Sequence, residues 1–292
     1  MLADSLRSIH PAHKEGNAAP TMTTEITSSP PPPIDLAQEK HWDAFYERRS
    51  RSSSAWAPRT YLEFLLDHLL SSEAKRARPQ SILEVGCGDS VFLTHLGTKT
   101  GASHVCGLDY SKPGCDLART RLAASGQKGE IFCRDLFQTT TGDIGQFDFV
   151  YSLGLVEHFS DLRAVVAKLS EFLKPGGVLV TEVPNLFSIY GILCRLYQPR
   201  VMAKHRVIRY AHLAKAYRST GLVDLHGGHV GAGTVGLLAW GVEPRWHRYD
   251  LHVRNFADKL YECIDAPLLR RRITKGLPAL APYVYISGSK PR

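Results

Sequence analysis

The chain has 292 residues, a net charge of +8, 43% hydrophobic and 22% charged residues, and a mean hydropathy of −0.17. That balance belongs to a globular protein rather than a fibrous or disordered one, and the length suits one sizeable core with an attached lid. The least polar run, Val230 to Trp240, is glycine-rich and far too short to span a bilayer. No charged segment followed by an apolar one opens the chain, so a cytoplasmic protein is expected.

The six cysteines (Cys87, Cys106, Cys115, Cys133, Cys194 and Cys263) show no paired metal-ligand spacing and read as small buried thiols in a reducing compartment. The charge is uneven. Residues 195–292 hold 17 Lys and Arg against 6 Asp and Glu, whereas residues 1–194 hold 19 against 22. A basic second half raises the local concentration of anionic ligands, or it is simply a solvated cationic surface.

Residues 1–35 are rich in Ser, Thr, Ala and Pro and end in the run Pro30–Pro33. Such a segment cannot bury enough apolar surface to offset its ordering entropy, so a disordered tail is expected, and Met22 is an equally good start. From Leu36, LAQEKHWDAFYERRS reads as an amphipathic helix with Trp42, Phe45 and Tyr46 near one face. A second helix from Thr60 sets Leu62, Leu65, Leu66 and Leu69 on one core-facing stripe. Residues 36–75 are therefore two N-terminal helices.

An α/β alternation follows. Strands are predicted near 81–85, 104–109, 130–134, 147–152, 177–183, 222–227 and 282–289, with helices near 90–97, 113–125, 160–173 and 209–220. Lys174–Pro175–Gly176–Gly177 stops a helix before a strand starts. The pattern implies a doubly wound α/β sheet, mostly parallel and seven-stranded, with ligands at the carboxyl ends of its strands.

The chemistry concentrates at the first of those ends. In ILEVGCGDS at 82–90, Gly86 and Gly88 read as the turn after a buried strand, and Asp109 ends the next strand 21 residues beyond Gly88. A strand-end carboxylate at that spacing is placed to accept the vicinal hydroxyls of a ribose, which calls for a nucleoside-containing cofactor. The third glycine of the dinucleotide fingerprint is replaced by Val91, and Glu84 stands where a pyrophosphate would be repelled. An acid there suits a cation, and S-adenosylmethionine carries a sulfonium and an ammonium. An NAD-linked oxidoreductase is disfavoured on the same grounds.

With these residues in view, the chain resembles the class I S-adenosylmethionine-dependent methyltransferases from about residue 80 to 185. The likeness is carried by ILEVGCGDS, Asp109, CRDLF at 133–137, FDFVYSLGLVEHF at 147–159 and LKPGGVLVTEVPN at 173–185. The resemblance implies that Glu84, Gly86, Cys87, Gly88, Asp109 and Tyr110 surround the cofactor, with Asp109 on the ribose. It also implies that Asp135 and the Leu136 backbone hold the adenine and that Ser152 lies under the methionine part. The first helix would cap the pocket, or merely dock. The last strand would be antiparallel, and residues 184–208 and 230–280 would be lid and acceptor insertions in a methyltransferase domain spanning 36–292.

The implied activity is metal-independent methyl transfer to oxygen or nitrogen of a small or medium-sized acceptor, anionic or glycosidic by the charge argument. His158 is the candidate general base and Glu157 its neighbour, although an EH pair at this place can equally hold a loop or order a water. Phe187, Tyr190, Tyr197, Arg200, Lys204, His205 and Arg206 would line the acceptor pocket, or pack a helix on the core with their basic heads in water. Residues 255–275 read as a lid helix, a dimer contact or a membrane-lying helix. The remaining alternatives are a methyltransferase of RNA or protein, for which no RNA-binding module or NPPY motif is present, and a non-catalytic scaffold.

Overall fold

The computed structural model describes residues 31–48, 56–234, 259–260 and 262–292, of which 32–292 belong to one compact unit. The expected disordered tail up to residue 30 and Phe256 of the expected 255–275 helix lie outside the described residues. In chain order the helices before and within the first half-sheet are α1 (Glu39–Tyr46), α2 (Tyr61–Ala77), α3 (Val91–Thr100), α4 (Lys112–Ser125) and the short α5 (Thr141–Ile144). They are followed by α6 (Leu162–Glu171), α7 (Ile189–Tyr197), α8 (Pro199–Met202), α9 (Tyr210–Ser219) and α10 (Asp265–Arg270).

The strands are β1 (Ser81–Val85), β2 (His104–Asp109), β3 (Gly129–Cys133), β4 (Phe147–Leu153), β5 (Leu173–Pro184), β6 (Val223–Val230) and β7 (Tyr283–Ser289). They form one sheet in the order β3-β2-β1-β4-β5-β7-β6, parallel except for β7, which runs against both neighbours. This is the expected doubly wound fold, mostly parallel and seven-stranded.

Two apolar layers sandwich the sheet. Leu83, Val85, Leu108 and Val150 turn to one face and pack with α6 and α9 through Val165, Leu169, Leu213 and Tyr217. Ile82, Phe149, Tyr151 and Val180 turn to the other and meet α2, α3 and α4 through Leu65, Leu93, Leu96 and Cys115. Strands buried on both faces read as continuous apolar runs, which is why they were legible. The α2 helix has a complete capping box, with Thr60 Oγ1 accepting from Glu63 N and Glu63 answering to Thr60 N.

Strand β6 runs on to Val230 and α3 to Thr100, each three residues past expectation, and two further boundaries differ through remote partners. Strand β5 begins at Leu173, not 177, because Phe147 pairs with Leu173 and the chain then bulges through Gly176, at φ +79°, before pairing resumes at Val178. The last residues of the expected tail are docked: Leu36 N donates to the His158 carbonyl and Ser160 N to that of Ile34, so the defined chain starts before residue 36.

The expected insertion at 184–208 holds α7 and α8. Of 230–280, the described part includes α10, whose Leu268 and Leu269 pack on the α2 layer. That is the ordinary docked arrangement for this stretch. Among the described residues, no helix is long and apolar enough to cross a membrane.

Helix α9 is tied to the sheet by a fully buried hydroxyl, Tyr217 Oη, which donates to Thr181 Oγ1 of β5 at 2.7 Å. Tyr217→Phe is expected to lower unfolding free energy by about 1 kcal/mol, the usual net value of such a bond, in urea titrations monitored by circular dichroism. An unchanged midpoint would show that this bond does not anchor α9.

Candidate active site

The turn after β1 is built from left-handed backbone. Gly86 has φ +72° and Gly88 φ +48°, and Ser90, which opens α3, is also left-handed at φ +48°. For a serine that conformation carries strain, and its hydroxyl shows what holds it: Ser90 Oγ donates to Glu84 Oε2 at 2.8 Å instead of capping its own helix. A Cβ on Gly88 would fall on the Tyr46 hydroxyl, so glycine here leaves room for an aromatic ring, and the turn is approached closely from α1.

Asp109, at the end of β2, is 7% exposed and accepts with both oxygens: Oδ2 from Gly88 N and Oδ1 from Ser111 N, each at 2.8 Å. Its Ser111 neighbour also donates Oγ to Asp43 Oδ1, and Tyr110 Oη donates to Asp35 Oδ2. These bonds strap α1 across the ends of β1 and β2. Burial pushes the Asp109 carboxyl up to about 6 and that of Glu84 up to about 8, opposed at Glu84 by the Ser90 hydroxyl and at Asp109 by the backbone N–H groups. Neither acid is paired with Lys or Arg among the described residues.

The remaining expected cofactor residues occupy the same edge of the sheet. Cys87 is buried within the turn, and Leu136 is buried against the core. Asp135 is exposed at the rim beyond β3, where its Oδ1 accepts from Phe137 N and Gln138 N. Ser152, near the end of β4, is fully buried and its Oγ lacks a hydrogen-bond partner. An orphaned hydroxyl, a left-handed glycine turn and two unpaired buried acids form a donor and acceptor set that fits a cationic nucleoside better than a pyrophosphate.

Glu157 and His158 lie in a 3-10 turn, Val156–His158, after β4, and both are buried. His158 Nδ1 donates to the Lys204 carbonyl at 2.8 Å, and Trp42 of α1 packs edge-on against the ring at 5.2 Å. Burial, then the neighbouring His205, holds its pKa down to about 3. A general base at physiological pH needs a value near neutrality. The base role expected for His158 therefore finds no support in its surroundings. Burial pushes the Glu157 carboxyl up to about 8, and its Oε2 has no hydrogen-bond partner.

The expected acceptor lining divides. Lys204 Nζ meets His41 Nδ1, Arg206 donates to the carbonyls of Phe159 and Ser160, and Tyr190 is buried, accepting from Thr234 N. Phe187 is exposed beneath the Arg209 guanidinium, 3.6 Å from its ring centroid. The Tyr197 side chain lies outside the described residues. Several basic heads thus serve as structural ties. Sequence reasoning missed Asp35, Asp43, His41 and Glu182; the last is a buried acid of β5 whose carboxyl is pushed far up by burial and by Glu157. An acid inside the apolar run VLVTEVP was the one available signal.

A methyltransferase-domain family model matches residues 83–179. Ubiquinone biosynthesis O-methyltransferase of Bordetella avium is 27% identical over 210 residues, covering 69% of this chain and 86% of that protein. The enzyme of the same name from Aromatoleum aromaticum is 27% identical over 149 residues, and there the match spans 48% of this chain and 63% of the relative. Among solved structures, the plantazolicin methyltransferase in complex with S-adenosylhomocysteine shares the fold with a TM-score of 0.53 at 15% identity, over 88% of this chain and 95% of that one.

Sheet order, glycine turn and these likenesses agree: residues 83–179 match a methyltransferase domain, and the chain shares the fold of S-adenosylmethionine-dependent methyltransferases and is similar to them in sequence.

The buried acids make stability depend on pH. Glu84 moves from an ordinary 4.5 to about 8, so the folded state holds this proton more tightly than the unfolded chain does. Its contribution is present in full below 4.5 and is lost as pH rises through 8. Glu84→Gln is expected to make the fall in melting temperature between these limits shallower; identical pH profiles would remove Glu84 from the cause.

Proposed function

We propose that the chain binds S-adenosylmethionine at the carboxyl ends of β1 and β2 and methylates an oxygen or nitrogen of a small or medium-sized acceptor. One observation carries this: two buried acids, Glu84 and Asp109, flank a left-handed glycine turn with no Lys or Arg on either among the described residues. When bound, the cofactor supplies a methyl group on a sulfonium, transferred to the acceptor atom as the S–C bond breaks and its electron pair returns to a neutral sulfur.

The chain's own residues bind and orient. Asp109 takes the ribose hydroxyls on the lone pairs left by Gly88 N and Ser111 N. Gly86, Cys87 and Gly88 let the backbone approach, Tyr110 and Ser152 border the sugar and amino-acid parts, and Asp135 with Leu136 meets the adenine edge. Glu84 supplies negative charge beneath the cationic end. Trp42 and Tyr46, stacked at 6.3 Å between centroids, close the cleft and exclude water. Alignment of acceptor and donor is the largest effect such a site provides, worth about 7–11 kcal/mol in well-oriented intramolecular systems.

Glu157 and His158 follow β4 on the side where α7 and α8 leave the sheet, so they are assigned to the acceptor. The O-methyltransferase names of the relatives favour oxygen. The ties made by Arg206 and Lys204 leave the anionic-acceptor and RNA readings resting on overall charge.

Asp109→Ala is expected to weaken S-adenosylmethionine binding about tenfold or more in calorimetric titrations, because charge-assisted hydrogen bonds are lost. Undiminished affinity would move the ribose elsewhere. If Glu84 must ionise to receive the cation, affinity falls by up to about tenfold per pH unit as pH drops below 8, with one proton released on binding. A flat profile from pH 6 to 8 would sever Glu84 from the cofactor.

A further inference from the structure

Glu157, His158 and His205 come together from chain positions 48 residues apart at the extreme. One oxygen or nitrogen from each lies within 4.8 Å of the others, and they form the one such cluster found among the described residues. The hydrogen bonds decide what these atoms are. His158 Nδ1 faces the Lys204 carbonyl at 2.8 Å, and His205 Nδ1 faces the Val201 carbonyl at 2.7 Å. A carbonyl can only accept, so each Nδ1 carries the hydrogen and each neutral ring keeps its lone pair on Nε2.

The two rings are 4.3 Å apart between centroids and tilted by 58°, and His158 Nε2 stands 4.0 Å from Glu157 Oε1. That separation is too long for a shared proton. Two histidine rings and a carboxyl group therefore gather in a place where Glu157 is 1% and His158 3% exposed, with Glu157 Oε2 unpartnered. A carboxyl group and two imidazoles gathered this closely, each ring oriented by a backbone carbonyl, make a ligand set for a cation.

We propose that Glu157, His158 and His205 bind a divalent transition-metal ion of the zinc type. Two nitrogens and one oxygen suit zinc, cobalt or iron and not magnesium or calcium, which take oxygen ligands. Backbone carbonyls on both Nδ1–H groups are the outer-shell partners that fix ligating histidines. Zn–N bonds of about 2.0–2.1 Å put ligand atoms roughly 3.3 Å apart, so the three side chains close in by about 1 Å on loading. The nearby Lys204 ammonium is engaged by His41.

Three protein ligands leave a position open. Trp42 packs on His158 and stacks on Tyr46, whose hydroxyl covers Gly88, so the cluster stands one aromatic layer from the glycine turn. The open position would take a hydroxyl oxygen of the acceptor. That assignment rests on the methyl-transfer reading; the cation site does not. It departs from the metal-independent transfer expected from the sequence.

The test uses the full chain, stripped with a chelator and titrated with Co²⁺ alone while visible absorption is recorded, followed by displacement with Zn²⁺. One equivalent of Co²⁺ with d–d bands is expected. His205→Ala and Glu157→Gln should each weaken binding by about a hundredfold or more, no less than loss of an outer-shell partner costs. X-ray absorption of the zinc-loaded wild type, which needs no variant to fold, should show imidazole scattering and no sulfur.

No d–d bands, sulfur in the shell, or equal affinity in folded variants would overturn the site. S-adenosylmethionine titrations run alongside separate the two readings. Metal binding without cofactor binding refutes the methyltransferase assignment alone, and cofactor binding without metal refutes the cation site alone.

Discussion

Asp109 accepts the N–H groups of Gly88 and Ser111 with its two oxygens, and that fork sets the geometry of the whole cleft. It holds the turn after β1 against the start of α4. Through Ser111 and Tyr110 it also fixes the points on which Asp43 and Asp35 strap α1 over the strand ends. A carboxylate buried in this position is costly unless its lone pairs are used, and backbone donors use them without adding positive charge. The fork thus satisfies Asp109 without placing a cation in the cleft, an arrangement compatible with a cationic donor.

The same economy recurs along the sheet. Glu84, Glu157 and Glu182 are all buried at or near the carboxyl ends of β1, β4 and β5, and burial raises every one of them. Few folds bury three acids without a compensating cation, because each one costs stability once ionised. Their clustering at one edge of an otherwise apolar sheet is the pattern that perturbed acids make where chemistry is done, and it supports the proposed site.

The region around α7 and α8, proposed to face the acceptor, is built on different principles. Its basic residues are largely consumed by structure: Arg206 holds the carbonyls of Phe159 and Ser160, and Lys204 engages His41. Exposed Ile189, Ile192 and Leu196 on α7 leave an apolar helix face beside Phe187. Charge counted along the chain thus overstates the positive field available to a ligand, since a guanidinium bound to carbonyls is no longer aimed at solvent.

Much of this molecule is legible in its sequence. The period of apolar runs gave the strands because parallel strands are buried on both faces, and Gly86, Gly88 and Asp109 declared the cleft because left-handed backbone and a strand-end acid have few substitutes. Local signals failed where partners are remote. The early start of β5 depends on Phe147 finding Leu173, and the docking of residues 34–36 depends on 158–160. No spacing rule joins Glu157 and His158 to His205. What the amino-acid order determined alone is the sheet, the glycine turn and the sign of charge beside it, all set by neighbours a few residues apart. Only the tertiary structure decided that His158 is a neutral, buried ring facing a second imidazole, because burial and hydrogen bonding are properties of the surroundings and not of the residue.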